Sequence, residues 1–439
     1  MVEHDDIRRA ALPLRRPSDL DPLLERIGSA RLVGIGEASH GTHEFYAWRA
    51  ELTRRLIVEK GFGFVAVEGD WPDCHMVHCC VTAGRGSPTD PLDALQAFDR
   101  WPSWMWANEE VLAFARWLRA YNDGEPPPLR VGFHGLDVYS LFASLRAVLD
   151  YVAEHEPDHL PVAREAVRCF DPYGDDPQSY ALASRLVPES CEDEVVALLR
   201  ELRSPDHARS DCGGTLDARF VAEQNARAAA DAERFYRAMV RGGPESWNLR
   251  DCHMADTLDQ LLEHYSSGDA PAAKAVLWEH NTHIGDARAT DMAAAGMVNV
   301  GQLVRERHGR DHSVLIGFGT HRGNVIAAPH WGGPVRQMPV PPARAGSLED
   351  LLHEVTDGTD AAFVLPTGDG HRGWSHEVRD HRAIGVVYHP DAERRGNYVP
   401  TVLDDRYDAF LYCDSTSPVR PLHPVEPLDV EPETYPTGV

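Results

Sequence analysis

Short, continuously apolar runs alternate along the chain with longer stretches whose apolar residues have helical spacing. The runs are not interrupted by alternating polar residues, which is typical of strands in a parallel sheet covered on both faces. Shorter apolar runs near the C-terminal end predict further strands. The predicted strands are 30–36, 62–68, 129–135, 272–279, 313–319, 382–389 and 407–413.

Residues 43–61 separate the first two predicted strands and carry apolar residues at helical spacing. The stretch ends at Gly61, and glycine is the residue that most often ends a helix. The sequence therefore predicts a strand–helix–strand unit over residues 30–68.

Residues 140–265 contain successive amphipathic helical patterns and no convincing strand. This predicts an α/β fold with a mostly parallel central sheet flanked by helices, and with a helical insertion or cap subdomain. In order along the chain we expect an N-terminal part of the catalytic body, the helical subdomain, a C-terminal part of the body and an extended, proline-rich acidic tail. The boundaries are 1–139, 140–265, 266–420 and 421–439.

The chain has 439 residues, and its net charge of −26 would repel both nucleic acid and an anionic membrane. Neither is therefore expected as a partner, and the charge says nothing about the chemistry. No apolar stretch approaches the roughly 20 residues that span a bilayer, and the N-terminal segment has no signal-peptide core.

The eight cysteines lack the spacing of a disulfide scaffold, so we expect free thiols and a cytoplasmic location.

Polar side chains follow each of the main apolar runs at its C-terminal end. In a parallel sheet those ends meet at one edge, where α/β proteins place their ligands. We therefore predict that separate clusters of side chains converge on one cleft. The residues concerned are Glu37, His40, Glu68, His134, Asp137, His280, His283 and His321.

A histidine general base is the predicted centre of this cleft. A neutral imidazole accepts a proton near neutral pH, and a nearby carboxylate fixes its tautomer. Glu37 and His40 share one loop, and Glu68 on the next strand could supply the carboxylate or orient a water. His280 and His283 could donate protons to the carbonyl oxygen or to the leaving group.

Other residues are predicted to support catalysis or to contact the substrate. Arg49 follows on the helix after His40 and could hold a carboxylate or a developing oxyanion. Trp104 and Trp106 belong either to the core or to the apolar wall of the cleft. The polar residues expected to contact substrate are His134, Asp137 and His321.

Two motifs with metal-binding character do not support a metal site. Residues 155–159 spell the metalloprotease pattern HExxH, but Pro157 breaks the helix that would hold both histidines on one face. Residues 74–80 are rich in cysteine and histidine, yet the pairs spaced four apart point in different directions. We predict that both motifs are inert.

The motifs for nucleotides and for covalent catalysis are incomplete. The glycine pairs at 34/36 and 317/319 lack the third glycine of a dinucleotide site and are predicted to form tight turns. Residues 373–377 lack the second glycine of a nucleophile elbow. Because no serine or cysteine nucleophile is supported, we expect direct attack by an activated water.

The segments around these residues resemble the erythromycin esterase family. GIGEASHGTHEFYAWRAELTRRLIVEKGF with VAVEGDWPD resembles the opening of the family, and WEHNTHIGDAR resembles its second signature. The segments WMWANEE, GLDVYS and NLRDCHMADTL match intermediate positions, and the likeness runs from about Arg31 to about Pro421. The resemblance implies an α/β body with a helical subdomain that hydrolyses an ester or lactone, with His40 as the base.

The residues that match the family's functional positions are Glu37, His40, Arg49, Glu68, His280 and His283. One departure is Glu279, where a small residue is expected, because it places a negative charge beside His280. The substrate stays open, since the family contains macrolide-inactivating esterases, which act in the response to antibiotics, and members near biosynthetic operons.

Three alternatives remain beside a hydrolase that requires no cofactor. The first is a hydrolase that binds Zn²⁺ or Mn²⁺ through the same glutamates and histidines. The second is an enzyme of natural-product tailoring that uses the same acid and base residues for cyclisation or elimination. The third is a haem or small-molecule binding protein without turnover.

Overall fold

The structure of the chain is a computed structural model. It describes residues 2–84, 86–173, 177–184, 190–202, 218–267, 272–366 and 373–422. The tail predicted at 421–439 lies outside these ranges from residue 423 onward. Within them, no helix is long and apolar enough to cross a membrane.

The bounds of the regular elements are as follows. The strands are β1 (Leu12–Pro13), β2 (Leu32–Ile35), β3 (Phe64–Asp70), β4 (Gly132–Asp137), β5 (Ala275–Trp278), β6 (Ser313–Ala327), β7 (Arg336–Val340), β8 (Ala361–Val364), β9 (Arg379–Arg382), β10 (Tyr398–Thr401) and β11 (Ala409–Thr416). The α-helices are α1 (Val2–Ala10), α2 (Asp21–Ile27), α3 (His43–Lys60), α4 (Trp71–Val81), α5 (Pro91–Gln96), α6 (Glu109–Asp123), α7 (Leu141–His155), α8 (Leu160–Phe170), α9 (Pro177–Ser184), α10 (Glu192–Leu202), α11 (Ala218–Met239), α12 (Glu245–Tyr265), α13 (Asn281–Ile284), α14 (Val300–His308), α15 (Leu348–Val355), α16 (Glu393–Gly396) and α17 (Leu403–Arg406).

The chain folds as two compact units. The first comprises residues 1–65, 95–117 and 265–439, and the second comprises residues 66–94 and 118–264. The domain boundaries at 139/140 and 265/266 stay a prediction.

The first unit is built on a sheet with the strand order β1-β8-β11-β6-β2-β5. The central strands β11, β6, β2 and β5 are parallel, whereas β1, β8 and β7 pair antiparallel with their neighbours. Ile35 of β2 is in register with Trp278 of β5 and with Ile316 of β6. The residues that follow β2 and β5 therefore emerge side by side, whereas β6 continues to Ala327.

The second unit contains β3 from Ala66 onward, its neighbouring strand β4 and a set of helices. Helices α7, α8, α10 and α11 form where the sequence predicts them, which confirms the helical character of this segment. Their apolar faces share one core, which includes Leu145, Phe170, Leu198 and Phe235. The α/β fold class, with a mostly parallel central sheet and flanking helices, is confirmed.

The predicted strand at 382–389 is wrong. β9 ends at Arg382, and the chain continues with isolated bridges at Ile384 and Val387. The backbone N–H of Ala383 donates to Asn397 and that of Ile384 donates to Ala38, so successive residues bond to different partners. A ladder needs one continuous partner strand, which this segment does not have.

The prediction of tight turns is also wrong for three of the four glycines, while Gly36 lies in the loop after β2. Gly34 lies within β2, and Gly317 and Gly319 lie within β6. Glycine is needed there for packing, because a Cβ on Gly317 would lie 2.7 Å from the ring of Tyr407.

The expectation of free thiols fails for one pair of cysteines. Cys169, near the end of α8, forms a disulfide with Cys191, just before α10, and their Cα atoms are 5.8 Å apart. The packing of α8 against α10 brings the two residues together. The cysteine spacing therefore gives no argument for a reducing compartment, and the cytoplasmic location stays a prediction.

The HExxH sequence is divided between two elements. α7 ends at His155, and a separate 3-10 turn begins at Pro157, so His159 is not on the same helix. We expect His155→Ala to leave both the activity and the metal content unchanged, because the side chain is partly exposed and has no fixed partner histidine. Kinetics together with metal analysis of the purified variant would check this. Loss of activity or of bound metal in this variant would show that the HExxH sequence is a functional site.

Candidate active site

At the centre of the site in the first unit, a buried carboxylate lies between an imidazole and a guanidinium. The loop between β2 and α3 carries Glu37 and His40, and Arg49 lies further along α3. The Glu37 Oε1 atom is 2.8 Å from His40 Nδ1, and Glu37 Oε2 is 3.0 Å from Arg49 Nη1. All three side chains are buried. The spacing of three residues between Glu37 and His40 allows this contact within one loop.

Arg49 also joins the ends of two neighbouring strands. Its Nε donates to the carbonyl of Gly36 at 2.9 Å, and its Nη2 donates to the carbonyl of Glu279 at 2.5 Å. Gly36 follows β2 and Glu279 follows β5. The guanidinium lies 5.4 Å from the ring centre of Tyr46 and 5.9 Å from that of Trp278. Arg49 is therefore paired, hydrogen-bonded and packed, which a fully buried charge requires.

His280 lies against His40. The centres of the two imidazole rings are 4.8 Å apart. His280 is the N-cap of α13, and its Nδ1 accepts a hydrogen bond from the backbone N–H of Thr282 at 3.3 Å. The neutral ring therefore carries its proton on Nε2. His283 is buried on the same short helix.

Glu68 and Asp137 lie in the second unit, where both bind Arg250. Arg250 Nη2 is 2.7 Å from Glu68 Oε1 and 2.7 Å from Asp137 Oδ2, and its Nε donates to Asp137 Oδ1 at 2.9 Å. Burial acts to lower the pKa of Arg250, but Asp137 and Glu68 hold it well above its ordinary value. Sequence reasoning missed Arg250. The only signal was its place in the segment NLRDCHMADTL.

His134, which was predicted to contact substrate, belongs to a buried aromatic stack in the second unit. Its ring centre is 4.5 Å from that of His78 and 5.9 Å from that of Trp71. His75 stacks on His78 at 5.7 Å. Burial lowers the pKa of His75 to about 4, and it lowers the pKa values of His78 and His134 well below their usual range. These histidines are neutral in the folded protein near pH 7.

The histidine stack predicts a loss of stability in acid. The unfolded chain binds protons at these histidines near pH 6.5, whereas the folded chain binds them only at a much lower pH. The free energy of unfolding is therefore highest above pH 6.5 and falls as the pH is lowered toward 4. Between pH 7.5 and 5.5 we expect each histidine to remove about 1 kcal/mol, which urea unfolding at the two pH values would measure.

A matched pair of variants isolates this effect. His75→Phe keeps a ring that can stack on Trp71 but removes one titrating group, so its pH-dependent loss should be smaller by about 1 kcal/mol. His155→Phe, on the surface of α7, should leave the loss unchanged. Equal pH dependence in His75→Phe and the parent would show that the stack is not the source.

The remaining predicted substrate residues have packing partners in the first unit. Trp104 is fully buried, and the ring of Trp106 lies edge-on to Tyr46 at 6.3 Å. His321 stacks on His353 at 3.9 Å, and burial lowers its pKa. Contact of these residues with a substrate stays a prediction.

One group in the described part of the chain has the geometry of a metal site, and it was not predicted. Ligand atoms of His376, Asp404 and Asp405 lie within 4.8 Å of one another. His376 Nδ1 is 2.9 Å from Asp404 Oδ1, and Ser375 Oγ donates to the other oxygen of Asp404 at 2.8 Å. These contacts give His376 and Asp404 hydrogen-bonding partners within the protein.

Comparison with known proteins identifies the family. The model of the family described as erythromycin esterase matches residues 57–416. This chain belongs to the erythromycin esterase family. An erythromycin esterase type II from Escherichia coli is 29% identical over 120 residues, which are 27% of this chain and 26% of that protein. That alignment spans about a quarter of the relative's length.

Solved structures share the fold over nearly the whole chain. A succinoglycan biosynthesis protein has a TM-score of 0.76 at 23% identity, covering 95% of this chain and 98% of that one. A protein from Bacillus cereus has a TM-score of 0.77 at 21% identity, covering 96% and 98%. A mutant of the erythromycin esterase EreC in its open conformation has a TM-score of 0.67 at 16% identity, covering 93% and 97%. At these identities the likeness concerns the fold alone.

Within this erythromycin esterase family member, the first unit brings together Glu37, His40, Arg49 and His280. Glu68 and Asp137 are held by Arg250 in the second unit. The convergence of all predicted residues on one cleft stays a prediction.

Proposed function

We propose that this protein hydrolyses an ester or a lactone, with His40 as the base that activates the attacking water. The observation that carries the proposal is the buried Glu37–His40 pair. Arg49 contacts the other oxygen of the same carboxylate. Membership of the erythromycin esterase family supports hydrolysis as the reaction class.

Glu37 sets the tautomer of His40. Because the carboxylate accepts a hydrogen bond from Nδ1, the proton of the neutral ring lies on Nδ1 and leaves Nε2 to accept another. A water at Nε2 loses its proton to the ring as its oxygen attacks the carbonyl carbon. Glu37 stabilises the imidazolium that forms. Arg49 lies against the other oxygen of this carboxylate, at 3.0 Å.

His280 is the proposed donor to the substrate. Its Nδ1 accepts from Thr282, which places the ring proton on Nε2, and this N–H is the proposed donor to the carbonyl oxygen as negative charge develops there. When the tetrahedral intermediate collapses, the carbon–oxygen bond of the ester breaks. The departing oxygen takes up the proton that His40 removed from water, and both histidines return to their starting states.

We propose that no covalent acyl-enzyme forms. Ser39 is buried, and its hydroxyl hydrogen-bonds that of Thr42 within the same loop. Burial raises the pKa of Cys79 to about 11 and raises that of Cys413 well above its ordinary value. Thiols with raised pKa values are poor nucleophiles at neutral pH, because the thiolate is the reactive form.

The proposed reaction requires no metal ion. The positive charge beside Glu37 comes from Arg49, at the place where a cation would otherwise balance the carboxylate. The chemistry assigned to water, to His40 and to His280 is complete without a Lewis acid. Dependence on a divalent cation is therefore an outcome that would count against this form of the proposal.

Erythromycin is the first substrate to test, because both an aligned relative and a structural relative are named as erythromycin esterases. Hydrolysis of its lactone would place the protein in the response to that antibiotic. Activity confined to other esters or lactones would favour a role in natural-product tailoring. In either case the proposed partner is a small molecule.

The test is a panel of aryl esters, simple lactones and erythromycin, with products identified by mass spectrometry. We expect hydrolysis of at least one compound by the parent, with and without EDTA. The absence of hydrolysis across the panel would contradict the function. Activity lost in EDTA and restored by metal would overturn the metal-free mechanism, and a Soret band in the purified protein would support the binding-protein alternative.

A further inference from the structure

A fully buried amide, Asn281, lies immediately after His280. Its Nδ2 donates to the carbonyl of Phe318 at 2.7 Å, and its Oδ1 accepts from the N–H of Phe318 at 3.2 Å. Because the nitrogen of the amide must donate and its oxygen must accept, only one orientation of the side chain fits. β2 pairs with β6 only as far as Ile35 and Ile316, so Asn281 takes the place of a strand partner for Phe318.

The backbone of Asn281 is held from both sides. Its N–H donates to the carbonyl of Glu37 at 2.8 Å, and its carbonyl accepts from Arg406 Nη2 at 3.0 Å. The amide also depends on a close approach to Gly36, because a Cβ at that position would lie 2.1 Å from Asn281 Oδ1. The residue that carries His280 into the site is thus fixed to the loop that carries His40.

Behind Asn281 lies a second buried pair, His381 and Glu349. Asn281 Nδ2 is 3.2 Å from His381 Nε2, and His381 Nδ1 is 2.6 Å from Glu349 Oε1. Since the amide donates to Nε2, the proton of His381 lies on Nδ1 and is donated to Glu349. Burial lowers the pKa of His381, which keeps the ring neutral. Glu349 also accepts the backbone N–H of Arg382 at 3.0 Å.

We propose that Asn281, His381 and Glu349 are positioning residues that hold His280 beside His40 in the Nε2–H tautomer. The link is the peptide after Asn281, whose Thr282 N–H bonds His280 Nδ1. Thr282 Oγ1 also lies 2.8 Å from the same nitrogen. If the amide of Asn281 is released, Thr282 moves and the imidazole loses both of these contacts at Nδ1. The role of His280 as donor rests on the proposed function, whereas its orientation does not.

The kinetic test compares two buried asparagines with the same kind of backbone contacts. Asn122 donates to the carbonyls of Val81 and Val131 and accepts from the N–H of Val131, all within the second unit. Asn281→Ala should lower kcat by about 10–100-fold with KM within about threefold, since misplacement by about 1 Å costs that much. Asn122→Ala should lose comparable stability but keep the parent's kcat. Equal, parental kcat in both variants would overturn the proposal.

His381→Phe removes the second link and leaves the contacts between Asn281 and Phe318 intact. We expect it to lower kcat by about tenfold, and the double variant should be no worse than Asn281→Ala alone, because both act through His280. If Asn281→Ala does not fold, the milder variant His381→Phe alone tests the proposal. Additive losses would show that the two residues act separately and would contradict the chain of contacts.

The tautomer of His280 provides a readout that does not depend on activity. Nitrogen NMR of histidine-labelled protein, with the His280 signals assigned by their loss in His280→Gln, should show one Nε2–H form in the parent. Asn281→Ala and His381→Phe should show a mixture of tautomers. An unchanged tautomer in both variants would overturn the positioning role even in an active enzyme. A changed tautomer in a protein that hydrolyses no ester would contradict the proposed function only.

Discussion

Replacing His40 with alanine should lower kcat by about 10²–10⁴-fold, the usual contribution of a general base. The fold should persist, because His40 lies in a loop at the sheet edge and Glu37 keeps Arg49 as its partner. Glu37→Gln should show a smaller defect, because it keeps a hydrogen-bond acceptor but loses the charge that stabilises the imidazolium.

The measurement is kcat on a substrate from the ester and lactone panel, with the far-UV spectrum as the check on folding. His43→Ala is the matched control, since His43 is three residues away at the start of α3 and pairs with Glu110 instead. It should retain the parental rate. A His40→Ala variant that turns over the same substrate as fast as the parent would remove His40 from the mechanism.

Replacing Arg49 with methionine should lower the free energy of unfolding by about 3–5 kcal/mol, because it leaves Glu37 as a buried charge without its cation. The variant also loses the bonds to the carbonyls of Gly36 and Glu279, which join the ends of β2 and β5. Adding Glu37→Gln to Arg49→Met should restore part of the loss, since the unpaired charge is then gone. Urea unfolding of the parent, both single variants and the double variant measures the coupling.

Arg54 on the same helix is the control for the loss of an arginine as such. It is partly exposed and lies 3.5 Å from Glu51, so Arg54→Met should cost less than about 1 kcal/mol. If Arg49→Met and Arg54→Met destabilise the protein equally, the buried ion pair does not have the role assigned to it here.

The parts of the fold that were predictable are those with strong local signals. The strand–helix–strand unit around α3 follows from two apolar runs and a helical pattern, and Gly61 ends the helix with a positive φ of 67°. The short strands at the C-terminal side were harder. β8 to β10 have four residues each, and the segment after β9 bonds to several partners in turn, which leaves no periodic pattern in the sequence.

In the site, too, contacts between residues close in sequence were predictable and contacts between distant residues were not. Glu37 and His40 lie three residues apart, so their pairing is a local property that spacing can reveal. Asn281, His381 and Glu349 are joined across large distances in sequence, and only the folded chain shows that they meet. Arg250 is a comparable case, because its carboxylate partners come from β3 and β4. The disulfide between Cys169 and Cys191 likewise depends on helix packing.

Intact-mass spectrometry during a single turnover tests the central claim most directly. The parent, in excess over an ester or lactone that it hydrolyses, is quenched in acid at times that span the reaction. Direct attack by a water that His40 activates predicts that product accumulates while the protein mass never changes. A transient increase by the mass of the acyl group, on Ser39 or any other side chain, would show a covalent intermediate and would contradict the mechanism.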